Sequence, residues 1–165
     1  MPNVSPIIRS ALFVKDLARQ SRFYRQALGF DQVYYQGRLD APAAPKIVGA
    51  PPATTMDCCI LRGEQPNLGM VGLFQLDPLP PTSITHSNHI ALGESVMVFY
   101  CTQLEQVIKN ATELGATVLC SPIEFKMPHE SQQEAMLRDP EGFAINLVER
   151  DPSRAFQTHT VFVDI

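Results

Sequence analysis

Val14-Lys15-Asp16-Leu17-Ala18-Arg19-Gln20-Ser21-Arg22-Phe23-Tyr24-Arg25-Gln26-Ala27-Leu28-Gly29-Phe30 decides the fold, because its pattern returns about 87 residues later, counting from Leu17 to Leu104. The second copy is Tyr100-Cys101-Thr102-Gln103-Leu104-Glu105-Gln106-Val107-Ile108-Lys109-Asn110-Ala111-Thr112-Glu113-Leu114-Gly115-Ala116. In each copy an apolar strand meets a polar cap, then an amphipathic helix of about three turns, then Leu-Gly and a further strand. Such a duplicated unit predicts two half-modules that close a pocket between them.

Working outward, Ile7 to Val14 reads as a strand, and Asp16 as the N-cap of the helix that follows. Phe30 to Gln36 is the next strand. Arg38 to Ala53 then carries Pro42, Pro45, Pro51 and Pro52, too long and Pro-rich for a plain connection. Thr55 to Leu61 and Met70 to Leu76 are expected to pair as a hairpin. Pro78, Pro80 and Pro81 cannot continue a sheet and mark a linker. Beyond it come a strand from Ser95 to Cys101, a helix with Leu104, Val107, Ile108, Ala111 and Leu114 on one stripe, and a strand from Thr117 to Phe125. Gln133 to Leu137 and Phe143 to Glu149 form a closing hairpin across Arg138-Asp139-Pro140-Glu141-Gly142. Thr158 to Val163 reads as an extra edge strand. The expected organisation is a first βαβββ module over 1–76, a Pro-rich linker over 77–94, a second module over 95–149 and an extension over 150–165. The fold class is α+β, with the two modules forming a cupped mixed β-sheet.

Composition narrows the function. Hydrophobic residues make up 45% and charged residues 18%, with a net charge of −4 and no Lys/Arg run, so nucleic acid and anionic membranes are not expected partners. No apolar stretch is long enough to span a bilayer, and Met1-Pro2-Asn3-Val4-Ser5-Pro6 lacks a signal-peptide start, so a cytoplasmic location is expected. Cys58, Cys59, Cys101 and Cys120 show no zinc spacing and read as small buried hydrophobes. There is no P-loop, GxGxxG, HExxH or Ser-His-Asp order, which removes nucleotide-dependent and serine-hydrolase chemistry.

Phe13-Val14-Lys15-Asp16-Leu17, Phe23-Tyr24, Leu28-Gly29-Phe30 and above all Leu137-Arg138-Asp139-Pro140-Glu141-Gly142-Phe143-Ala144-Ile145-Asn146-Leu147-Val148-Glu149 resemble the vicinal oxygen chelate superfamily of glyoxalases, bleomycin-resistance proteins and extradiol dioxygenases. The resemblance covers roughly residues 6 to 150. It implies a cavity in the cupped sheets and a divalent metal held by His, Glu or Gln. A His is common about seven residues before the first Asp-Leu; here that position is Arg9, and its second-module counterpart is near Val96. A guanidinium has no free lone pair and cannot ligate a cation. The last-strand Glu is matched by Asn146, a weak ligand, and the first module offers Gln75 in the same role.

The expected function is therefore binding of a small amphipathic or aromatic molecule without the usual metal. Arg9, Gln75, Phe99 and Asn146 are the candidate ligand-binding residues, with Arg9 offering bidentate donors to a carboxylate, phosphate or phenolate. The alternative is a metal-dependent lyase, isomerase or dioxygenase with atypical ligands, for which His86 and His89, three residues apart, are the candidate metal pair. His129 is the general acid/base candidate by residue type. No cofactor is expected in the first reading and a divalent metal in the second; whether the chain is an enzyme stays open. Expected partners are a small-molecule ligand and, as a homodimer, a second copy of the chain.

Overall fold

The structure, a computed structural model, describes residues 3–64, 67–81, 84–126 and 131–156. His129 and the expected strand from Thr158 to Val163 lie outside the described residues. The elements run β1 (Arg9–Phe13), α1 (Leu17–Gln26), β2 (Gln32–Arg38), α2 (Ala44–Ile47), β3 (Thr55–Arg62), β4 (Met70–Asp77), β5 (Val96–Cys101), α3 (Leu104–Glu113), β6 (Thr117–Lys126), β7 (Ser131–Arg138), β8 (Ala144–Glu149), then a short 3-10 turn over Pro152–Phe156. They make two four-stranded mixed sheets, ordered β1-β4-β3-β2 and β5-β8-β7-β6. In each, the first strand runs parallel to the last and the remaining pairs are antiparallel. The fold is α+β, and the repeat read from the sequence is a repeat of βαβββ units. No helix among the described residues is long and apolar enough to cross a membrane.

The two Leu-Gly signals end the helices as their chemistry requires. Gly29 and Gly115 have φ of +75° and +97°, a region costly for any residue with a β-carbon. The helix starts differ. Asp16 caps α1 by accepting from the Arg19 amide at 2.9 Å. α3 follows Gln103, which is left-handed and gives no side-chain cap. Its Leu104 amide is taken instead by Glu149 of β8 at 3.1 Å. Gln75 of β4 takes the Leu17 amide in the same way, at 2.8 Å. The repeat is thus preserved down to a last-strand side chain that caps its own module's helix.

Alternation along the strands sorts the apolar residues onto two sides of each sheet. Leu12, Val14, Cys59, Leu61, Val71 and Leu73 face the helices and join Phe23, Tyr24, Leu104, Ala111, Leu137, Ile145 and Leu147 in one core that runs through both modules. Phe30 and Phe99 meet edge to face across that core at 5.4 Å. On its other side the first sheet buries Met56, Cys58, Phe74 and Leu76 against Leu39 and Ala44 of the Pro-rich segment. This is why the adjacent Cys58 and Cys59 are both buried, one on each side. Among the described residues nothing covers the second sheet in the same way, and Val98, Ile123 and Phe125 are exposed there.

The modules are locked together by the β7–β8 turn. Asp139 is buried and its carboxylate receives four donors: the Tyr24 hydroxyl at 2.8 Å, the Gln20 amide at 3.2 Å, and the backbone amides of Glu141 and Phe143 at 2.9 and 3.0 Å. Burial pushes the Asp139 carboxyl above its ordinary range, and these hydrogen bonds oppose the shift. Glu141 then accepts from the Lys15 and Asp16 amides at 2.7 and 2.8 Å, just ahead of α1. Removing one donor from this buried carboxylate, as in Tyr24→Phe, is expected to cost about 1.5–3 kcal/mol. Urea unfolding reads that loss; an unchanged midpoint would mean that the hydroxyl contributes nothing to the joint.

Candidate functional site

Register places the sequence candidates on opposite sides of the sheets. Arg9 pairs with Met70 and Val96 with Ala144, each at the start of a parallel ladder. Counting along β4 and β8 from those pairs, the first-module counterpart of Asn146 is Gly72, whereas Gln75 corresponds to Glu149. Gln75 and Phe99 both point to the helix side, Gln75 as the cap on Leu17 and Phe99 within the core. Neither shares a face with Arg9. Arg9 is exposed and has no hydrogen bond or ion pair among the described residues. Its stem and the Phe74 ring fill the space beside Gly72: a β-carbon built there would lie 2.9 Å from Phe74 and 3.5 Å from Arg9 Cδ. Asn146 donates to Glu134 at 3.1 Å, which in turn accepts from Gln132 at 2.5 Å. Gln132 is joined to Arg150, whose guanidinium stands 5.3 Å from the Tyr100 ring centre.

Two cavities lie beside the first sheet. One, of about 630 Å³, is a polar groove on the helix side lined by Arg22, Arg25, Asp31, Gln36 and Gln75. The other, of about 570 Å³, is apolar and lies at the C-terminal ends of β1 and β4. Its walls are Phe13, Phe74 and Leu76 from the sheet, Leu79, Pro80, Pro81 and Ile84 from the linker, and Phe143 from the β7–β8 turn. Phe13 and Phe74 stand 5.7 Å apart, ring centre to ring centre. Lys15, His86 and Glu141 supply its ionisable groups. Ligand sites are mostly apolar clefts with a few placed polar groups, so the smaller cavity is the candidate site. Arg9 is four residues from Phe13 along β1, about 13 Å away, and is not part of the wall.

The linker side of that cavity is held in place by Arg138. This buried guanidinium pairs with Glu94 through both terminal nitrogens and donates to the carbonyls of Ser87 at 2.8 Å, His89 at 3.0 Å and Gly142 at 2.7 Å. The Arg138 hydrogen bonds, helped by the Ala91 amide, hold the Glu94 carboxyl at about 2. His86 Nδ1 lies 3.5 Å from the same carboxylate.

Solved structures share this fold. A glyoxalase family protein from Bacillus cereus matches with a TM-score of 0.75 at 17% identity, over 90% of this chain and 95% of that one. A glyoxalase/bleomycin resistance protein from Albidiferax ferrireducens T118 gives 0.52 at 21%, over 86% and 97%. Glyoxalase I from Zea mays gives 0.56 at 17%, over 88% of this chain but 44% of that chain. The fold is that of the glyoxalase/bleomycin-resistance proteins. No protein-family model and no curated protein matches the sequence, so the likeness is one of fold.

The resemblance read from the sequence implies a divalent cation held by side chains on β1, β4, β5 and β8. Here those places hold Arg9, Gly72, Val96 and Asn146: a fixed cation, no side chain, an aliphatic group and one neutral amide, whose nitrogen donates to Glu134. These donors do not fit a divalent cation. His86 and His89 sit in an irregular segment rather than on a helical turn, and the His89 hydrogen bonds among the described residues are made by its backbone. Among the described residues no cluster of three His, Cys, Asp or Glu side chains has the geometry to hold a metal ion.

Sequence reading missed Phe13, Lys15, Leu79, Ile84 and the Arg138–Glu94 pair as parts of one site. Phe13 and Lys15 fall inside the family-like stretch, where the sequence offers only strand and cap signals. Nothing in the spacing of Arg138 and Glu94, 44 residues apart, announces their contact. Because Glu94 has a depressed folded-state pKa, its contribution to stability is fully present above the ordinary Glu range, about 4.3, and is lost as pH falls toward 2. The stability difference between the native chain and Glu94→Gln is expected to shrink steadily from pH 5 downward, read by urea unfolding at each pH. A difference that stays constant would show that the carboxylate charge is not what Arg138 depends on.

Proposed function

We propose that this protein binds a small amphipathic molecule with an aromatic body in the cavity between the first sheet, the Pro-rich linker and the β7–β8 turn, and that it does so without a divalent cation. One observation carries the reading: an apolar cavity of about 570 Å³ has three phenyl walls, from Phe13, Phe74 and Phe143, and ionisable groups on its wall. That volume suits a molecule of one or two rings. Offset and edge-on contacts with the phenyl walls favour an aromatic ligand. Of the ionisable groups, both Glu141 oxygens are spent on backbone amides, which leaves Lys15 and His86 for the ligand's polar end. Lys15 has no ion-pair partner among the described residues. In this reading Lys15 and His86, rather than Arg9 and Asn146, anchor the ligand.

The test is titration calorimetry with a panel of phenols and aromatic carboxylates, on protein treated with chelator and then supplied with Mn, Fe, Ni or Zn. Binding is expected to be indifferent to chelator. Phe13→Ala, at a half-exposed ring whose loss spares the core, is expected to weaken the best ligand about tenfold. Arg9→Ala should leave the affinity unchanged. Affinity that collapses on metal removal, or that follows Arg9 instead of Phe13, would sink the proposal.

A further inference from the structure

His86 is held in this cavity wall by three independent features. First, Gly142 makes room for it: a β-carbon at position 142 would lie 2.2 Å from His86 Cδ2 and 2.7 Å from Cγ. With φ of +99°, Gly142 also has a backbone that side-chain-bearing residues rarely adopt. Second, the imidazole packs against Phe143 at 6.0 Å between ring centres. Third, its Nδ1 edge meets the Glu94–Arg138 pair, 3.5 Å from a Glu94 oxygen and 3.5 Å from Arg138 Nη1.

The hydrogen count assigns the tautomer. Arg138 Nη1 carries two hydrogens, and these go to Glu94 and to the Gly142 carbonyl. None is left for His86 Nδ1, so Nδ1 carries the proton and offers it to the Glu94 carboxylate. The lone pair of the neutral ring is then on Nε2, which has no hydrogen-bond partner among the described residues. A carboxylate behind one ring nitrogen orients the imidazole and fixes which nitrogen carries the lone pair. The charged groups around the ring are Glu94 and Arg138 on the Nδ1 side, with Lys15 and Glu141 on the shared cavity wall.

We infer that His86 Nε2 is a proton acceptor for the bound molecule and that the ligand class of this cavity is the phenols. The inference rests on the cavity reading above and adds to it a chemistry and a residue. The phenolic O–H bond breaks, its electron pair stays on oxygen as the phenolate, and the proton forms an N–H bond at Nε2. The resulting imidazolium lies between the Glu94 carboxylate and the phenolate, and the Lys15 ammonium adds a second positive charge for the oxyanion. No oxidant, reductant or metal enters the step.

The experiment compares 4-nitrophenol, whose anion absorbs in the visible, with 4-nitroanisole, which has no acidic proton. At about pH 7, where free imidazole is largely neutral and free 4-nitrophenol is still partly protonated, the native chain is expected to bind both probes and to raise the phenolate fraction of bound nitrophenol above that in water. His86→Gln, close in size and unable to take a proton, is expected to keep nitroanisole binding measurable, since that probe has no proton to give the anchor, and to lose the excess phenolate band at least about tenfold. An excess phenolate band that survives in His86→Gln overturns the inference. So does a parallel loss of both probes, which would make His86 a packing residue. If the native chain binds nitroanisole but leaves nitrophenol no more ionised than in water, the cavity reading stands and the His86 assignment falls. If it binds neither probe, both fall together.

Discussion

The buried carboxylate of Asp139 is the point from which the rest of the molecule is positioned. A charge taken out of water is costly unless its oxygens are filled, and all four donors to Asp139 are fixed by the chain around it. Two come from the turn itself and set its shape. The other two come from α1 of the other module and set the angle at which the modules meet. Its neighbour Arg138, one residue earlier on the strand, points to the opposite side of the sheet. There it gathers Glu94 and three backbone carbonyls and so ties down the linker. One dipeptide therefore holds the module joint on one side and the wall of the cavity on the other.

That arrangement makes the two halves unequal although their elements repeat. The first sheet is covered on both sides, by α1 and by the Pro-rich segment, and its cavity is closed by the linker. Among the described residues the second sheet is covered on one side, and its other face carries a polar chain from Asn146 through Glu134 and Gln132 to Arg150. Places that are equivalent under the repeat have thus become chemically different. Gly72 gives way to the Phe74 ring, whereas Asn146 keeps a side chain and spends it on Glu134.

The elements were legible because their signals are local. Asp16, the Leu-Gly pairs, the period of three and four in α3, and the Asp-Pro and Gly of the closing turn each act over a few residues. The site was less legible because it depends on parity and on contacts distant in sequence. Gln75 and Phe99 have the residue types of a ligand site, yet one step along a strand reverses the side to which a residue points. Both fall on the helix side, as a cap and as core. Leu79, Ile84 and His86 lie in a segment without periodicity, and only the register of β7 and β8 brings it against Phe13 and Phe74.

By itself, then, the sequence determined the βαβββ repeat, the Asp16 cap of α1, the Leu-Gly ends of α1 and α3 and the closing turn, since these are properties of neighbouring residues. It also determined that Arg9 and Val96 cannot be metal ligands, because that follows from their functional groups alone. Only the tertiary structure decided that the first sheet is covered on both sides, that Gly72 rather than Gln75 stands opposite Asn146 in the repeat, and that a linker histidine lines the cavity. Those facts depend on strand register and on a guanidinium reaching across 44 residues to a carboxylate, and no local pattern encodes either one.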